Sequence, residues 1–243
     1  MYNLLITANQ LQDLQQKGTP CAVLDCSFEL MKPEMAKRFF ESLHIAGAWP
    51  AHLDDNLSTH DPALAVNGGR HPLPQREAVA QWLGSLGIHN GMQIVVYDRN
   101  KGHYCGRLWW MLKWLGHDAV AILDGGLQAW QEAGGEVATG NTPSAAVRAV
   151  HFELKTPLRS LVLTPTVAAH LGHPAQTIVD EPIDPYAGMG FVAELAELEM
   201  AREREILPRR KQLLEHNERA DAIDAKMPHV PPQPAPGDQL PRA

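Results

Sequence analysis

Along the first part of the chain, short apolar runs alternate with stretches in which apolar residues recur at helical spacing. Cys21 to Cys26 (CAVLDC), Gln93 to Asp98 (QIVVYD) and Ala119 to Asp124 (AVAILD) are brief apolar runs with an aspartate at or next to their end. A strand buried on both faces reads this way, because neither side of it meets water. Between and around these runs, Ala8 to Gln16, Arg76 to Leu86, Cys105 to Leu115 and Gly126 to Glu132 carry helical patterns. The helix from Arg76 starts just after a proline and the one near Gly126 after a glycine pair, both of which mark boundaries. Strands alternating with helices predict an α/β architecture, a parallel sheet flanked by helices. Ligands of such sheets bind at the carboxyl ends of the strands. The segments after Asp25, Asp98 and Asp124 are therefore where chemistry is to be sought.

The pattern changes near Gly188. Residues 1–188 hold 13 Lys+Arg and 18 Asp+Glu, about 16% of that stretch, against 8 and 10, about 33%, in residues 189–243. All six Trp lie at or before Trp130, so the later stretch has few large apolar groups to offset its ordering entropy. Within it, Phe191, Leu195, Leu198, Ile206, Leu207, Leu213 and Leu214 keep a helical spacing interrupted by Pro208. Two helices over 191–219 are predicted, then a disordered tail from Met227 with six prolines.

Composition removes several classes of function. A net charge of −7 lacks the basic footprint of a nucleic-acid or anionic-membrane binder. No apolar run reaches the roughly 18 residues of a membrane span, and residues 1–7 show no basic segment ahead of an apolar one. A cytoplasmic protein is expected. Cys21, Cys26 and Cys105 are too few for a disulfide framework and lack CxxC spacing, so reduced thiols, no structural metal and no cofactor are expected.

The segment RNKGHYCG (99–106) joins a strand to a helix. Its backbone N–H groups, together with Arg99, Lys101, Gly102, His103 and Arg107, can form an anion-binding loop. An ordinary solvated turn is the alternative. Cys105 opens the helix, where a thiol can be partly thiolate and nucleophilic, or can simply pack under the next turn. His103 is the exposed histidine placed for acid/base work, or a solvated loop residue. His44, His71 and His117 are explained structurally. Trp109, Trp110 and Trp114 recur at helical spacing, which reads as core packing rather than a cofactor box.

LHIAGAW (43–49), GRHPLP (69–74), VVYD (95–98), RLWWMLKWLGHDAV (107–120) and LDGGLQAW (123–130), in that order, resemble the first repeat of a tandem rhodanese. These are the thiosulfate and 3-mercaptopyruvate sulfurtransferases. The resemblance covers residues 5 to about 137. One departure is Ala46, where the family usually has proline. The resemblance implies a rhodanese-like domain over 1–140, and a mechanism in which a strand-end Cys carries sulfane sulfur as a persulfide to cyanide or a thiol. Here the equivalent position is Asp98, which cannot carry sulfur. Tandem members likewise have Asp in the first repeat, with the working Cys in the second.

LVLTPTVAAHLGHPAQTIVD (161–180) resembles the opening of a second repeat, with Thr164 as N-cap, within a linker and partial repeat over 141–188. The family's Ala-Arg or Ser-Arg pair is replaced by EPIDPYAG (181–188), and residues 189–243 contain no Cys. The second repeat is read as truncated, its place taken by the charged helical segment and tail. A sulfurtransferase impaired by this loss is expected, taking a small-molecule sulfur donor and a thiol or cyanide acceptor if active. The alternative is a catalytically silent rhodanese-like binding module, with a protein partner through 189–219. An uncovered strand at Thr177 to Asp180 predicts that this region is mobile or packs against the 191–219 helices, and protease resistance of residues 145–220 would count against mobility.

Overall fold

Only side chains that alternate between two apolar layers explain the buried runs, and the computed structural model, which describes residues 1–100, 102–141, 148–163 and 165–166, shows both layers. In chain order the elements are β1 (Leu5–Ile6), α1 (Ala8–Gln16), β2 (Cys21–Asp25), α2 (Met35–Ser42), β3 (His44–Ile45) and β4 (Trp49–Pro50). There follow α3 (Arg76–Ser85), β5 (Gln93–Tyr97), α4 (Cys105–Trp114), β6 (Val120–Leu123), α5 (Gly126–Glu132) and β7 (Val137–Ala138). The strands order as β1-β6-β5-β2-β4, all parallel, and β3 pairs with β7 in a separate antiparallel ribbon. Ala22, Leu24, Ile94, Val96, Val120 and Ile122 face one layer, built with α3 and α4. Val23, Val95, Tyr97, Ala121 and Leu123 face the other, with Leu11 of α1, Phe40 of α2 and Trp130 of α5. The period of two along each strand thus feeds both layers.

The four helices read in the first part of the chain are present, two of them with the same bounds. Thr7 caps α1: its hydroxyl accepts from Gln10 N at 3.3 Å, while the Gln10 side chain accepts from Thr7 N at 2.9 Å. Every residue of α4 is buried, and Trp109 Nε1 donates to Asn3 O at 3.1 Å, so the tryptophan stripe is core. The sequence reading omitted α2 and the two-residue strands. At Ala46 the chain uses what proline would lack, since Ala46 N–H donates to Glu136 O at 3.0 Å and joins the turn to the β7 side.

Residues 148–158 are fastened to α3, α4 and the Asn90 turn, with Phe152 buried. No helix among the described residues is long and apolar enough to cross a membrane. Lys101, Thr164, the strand expected at Thr177 to Asp180, the segment 181–188 and everything expected of 189–243 lie outside the described residues.

Candidate functional site

β2 and β5 pair in register, Asp25 beside Tyr97, so their carboxyl ends deliver Asp25, Cys26 and Asp98 to one place on the sheet edge. From Asp98 the chain curls back before entering α4, and the curl aims four backbone N–H groups at the Asp98 side chain. Asn100 N and Gly102 N donate to Oδ1 at 2.8 and 2.9 Å, and Tyr104 N and Cys105 N each donate to Oδ2 at 2.9 Å. Gly102 makes the curl possible with φ +96°, a conformation that a side chain disfavours. Asp98 is 1% exposed, and such a nest of amides at a helix start suits a full negative charge. The backbone of Asp98 is held from behind: its carbonyl accepts from Leu127 N at 3.4 Å. A Cβ on Gly126 would lie 2.3 Å from that oxygen, so the glycine that opens α5 is a requirement of the loop's approach.

The loop is therefore an anion cradle whose anion belongs to the chain itself. Gly102 contributes to it through its amide. Arg99 and Arg107 donate to backbone carbonyls, and the Arg99 charge also acts on the buried Asp25 carboxyl at this edge. Arg99 Nη2 donates to Phe39 O at 2.7 Å and also to Leu43 O, closing the end of α2, with its guanidinium over the Phe39 ring. Arg107 is buried and donates to Leu57 O at 3.0 and 2.8 Å and to His71 O at 2.8 Å, and burial lowers its ordinary value to about 10. Carbonyls left over at a helix end and in a buried loop need donors, and these two guanidiniums meet that need. His103 stands exposed on the loop.

The thiols differ from the partly ionised nucleophile that a helix start allows. Cys105 is 1% exposed, and burial, then the neighbouring Asp98 carboxylate and Cys26, push its thiol well above the ordinary range. Cys26 is raised the same way, by burial and by Asp25 and Asp98. Helix-end polarity is outweighed here because a thiolate would be dry and beside a carboxylate.

Two further arrangements at this edge were not read from the sequence. Tyr97 donates its hydroxyl proton to Asp25 Oδ2 at 2.8 Å and accepts from Ile45 N at 3.0 Å, while Ser27 N donates to Asp25 Oδ1 at 2.8 Å. Burial raises the Asp25 carboxyl from its ordinary value. This chain of bonds ties β2 and β5 to the β3–β7 ribbon. His71, taken as structural, has Nδ1 3.0 Å from Asp54 Oδ1 and packs edge-on to Phe28. Burial lowers its ordinary value, with Asp54 acting against that shift. Asp54 lies in a loop 17 positions before His71, a separation with no periodic signal.

Residues 7–133 match the family described as Rhodanese-like domain. A Pseudomonas aeruginosa protein named probable 3-mercaptopyruvate sulfurtransferase is 36% identical over 196 residues, covering 76% of this chain and 67% of that one. The human 3-mercaptopyruvate sulfurtransferase is 36% identical over 134 residues, covering 53% of this chain and 42% of its own. Among solved structures, 3-mercaptopyruvate sulfurtransferase from Leishmania major superposes with a TM-score of 0.59 at 29% identity, covering 73% of this chain and 46% of that chain. The chain spans about two thirds of the bacterial relative and less than half of the human and Leishmania ones.

Proposed function

The chain belongs to the rhodanese family, and on that premise we propose that its described domain is the supporting, non-carrying unit of a 3-mercaptopyruvate or thiosulfate sulfurtransferase. One observation carries this proposal. The amide cradle at the end of β5 is filled by Asp98, whose carboxylate holds the place and the charge of a persulfide but has no sulfur to transfer. The buried Cys105 is a packing residue on this proposal, because a thiol held protonated and out of water neither attacks a donor nor releases sulfur to an acceptor. A small-molecule sulfur donor and a thiol or cyanide acceptor are the substrates of the activity to which this domain contributes. A cytoplasmic setting accords with the three free cysteines.

The test is thiocyanate formation from cyanide, with thiosulfate and with 3-mercaptopyruvate, by the whole chain and its Cys105→Ser variant. Background turnover in both, and no added sulfur on Cys105 by mass spectrometry after donor treatment, are expected. A persulfide on Cys105, or turnover present in the parent and lost in the variant, refutes the proposal. A catalytically silent binding module is favoured by the same filled cradle. Partner capture with and without residues 189–243 separates it from a supporting catalytic unit.

A further inference from the structure

Residues 148–158 run beside α3 and α4 as extended chain, and what holds them is directed at their backbone. Val150 N donates to Gly84 O at 2.9 Å, Lys155 N to Leu115 O at 3.0 Å and Leu158 N to Lys113 O at 2.9 Å. Asn90 addresses both polar groups of one peptide residue, accepting from Glu153 N at 2.8 Å and donating to Glu153 O at 2.9 Å. Arg76 Nη2 donates to Lys155 O at 2.6 Å. Phe152 is 2% exposed, while its neighbours His151 and Glu153 face water. Its ring centroid lies 5.6 Å from that of the buried His117.

The receiving surface is shaped for a backbone. Two glycines lie where the segment crosses: a Cβ on Gly84 would sit 2.3 Å from Val150 O, and one on Gly116 2.6 Å from Thr156 O. Side-chain amide pairing to both the N–H and the C=O of one residue, glycine at the crossings and a pocket for one aromatic ring are what recognition of an extended peptide requires.

We propose that the α3–α4 face with the Asn90 turn is a peptide-binding groove, and that its ligand is the chain's own segment 148–158. The segment is held there by contact rather than by its covalent connection through residues 142–147. Specificity rests on the aromatic anchor at position 152, whose immediate neighbours face solvent, with the half-buried Leu154 packed against the same core.

A site for a sequence-specific protease is inserted between Ser144 and Ala145 of the full chain, which is then cut and passed over a sizing column in native buffer at micromolar concentration. The two fragments are expected to co-elute and to part only in denaturant. Gly84→Ala in the same background strengthens α3 as a helix while placing a methyl group in the segment's path, and Phe152→Ala removes the anchor. Each is expected to weaken association tenfold or more, with far-UV circular dichroism of the uncut chain unchanged. Fragments that part in the parent overturn the proposal. So do fragments that stay together undiminished in both variants, because contacts elsewhere would then hold them.

Discussion

Replacing Asp98 by Asn changes one atom in kind and tests whether the cradle is built around a charge. The carboxylate accepts four amides, two on each oxygen, at 2.8 to 2.9 Å and at 1% exposure. An Asn side chain can serve one pair with its oxygen. Its NH2 group then faces the other two N–H groups, donor against donor. Two amides, half-buried except for that of Cys105, are left unsatisfied at about 1–3 kcal/mol each, so the variant loses at most about 2–6 kcal/mol, less whatever the charge cost to bury. A central value of about 4 kcal/mol is a large part of the ~5–15 kcal/mol by which domains are stable, and lowers Tm by roughly 8–16 °C. Urea unfolding of the whole chain reads this as a fall in midpoint at unchanged slope. Asp13→Asn is the contrast. Asp13 pairs with Lys17 at 3.6 Å with both side chains largely exposed, and its loss costs less than about 0.5 kcal/mol. A loss below ~1 kcal/mol for Asp98→Asn would refute the view that the loop is organised by this carboxylate.

Three other outcomes follow from the same contacts. Tyr97→Phe strands Ile45 N–H and one Asp25 oxygen, and is expected to cost about 2–4 kcal/mol by urea unfolding. Gly126→Ala puts a methyl group against the Asp98 carbonyl at a φ of +58° and is expected to cost about 2–4 kcal/mol. It should also speed hydrogen exchange of the Gly102 and Cys105 amides, and an unperturbed loop would speak against the contact. His117 is buried with a lowered ordinary value, burial being the main cause, so the unfolded chain takes up the proton first as pH falls. Its contribution to stability is present above about pH 6.5 and lost as pH falls through its folded value. Asp25, raised by burial, acts in the opposite sense. Comparing the parent with His117→Gln isolates the imidazole: the variant's midpoint should fall less between pH 7.5 and 5.5, and equal falls would remove His117 as the cause.

Hydrophobic patterning sufficed wherever an element is long enough to show a period or dry enough to be continuously apolar. That covers α1, α3, α4, α5 and the three central strands, and hence the parallel sheet flanked by helices. Two-residue strands such as β1, β3, β4 and β7 have no period to detect and exist only because a neighbouring strand offers a ladder. The eight-residue α2 passed unread in MAKRFFES although Ala36 and Phe40 share its buried face, because one turn of apolar spacing amid charges does not stand out.

At the site, the order of residues alone placed Asp98 at the end of β5 and a loop ahead of α4. It could not say where the charges would point. Arg99 and Arg107 look like anion ligands when read by proximity in the chain. Once folded, Arg99 reaches the carbonyls at the end of α2, and Arg107 reaches the carbonyl of the buried Leu57, which without a donor would cost more than an exposed arginine gains. The same holds for the segment 148–158. Nothing in the residues from 148 to 158 predicts attachment, because its bonds are backbone bonds, received at Gly84, Asn90, Leu115 and Lys113 from elements far away in sequence. The sequence by itself determined the layers and the place of the cradle, since burial is written in apolar spacing. Only the tertiary structure decided that Asp98 fills that cradle, because the four amides that converge on it are identical in every residue and carry no sequence signal.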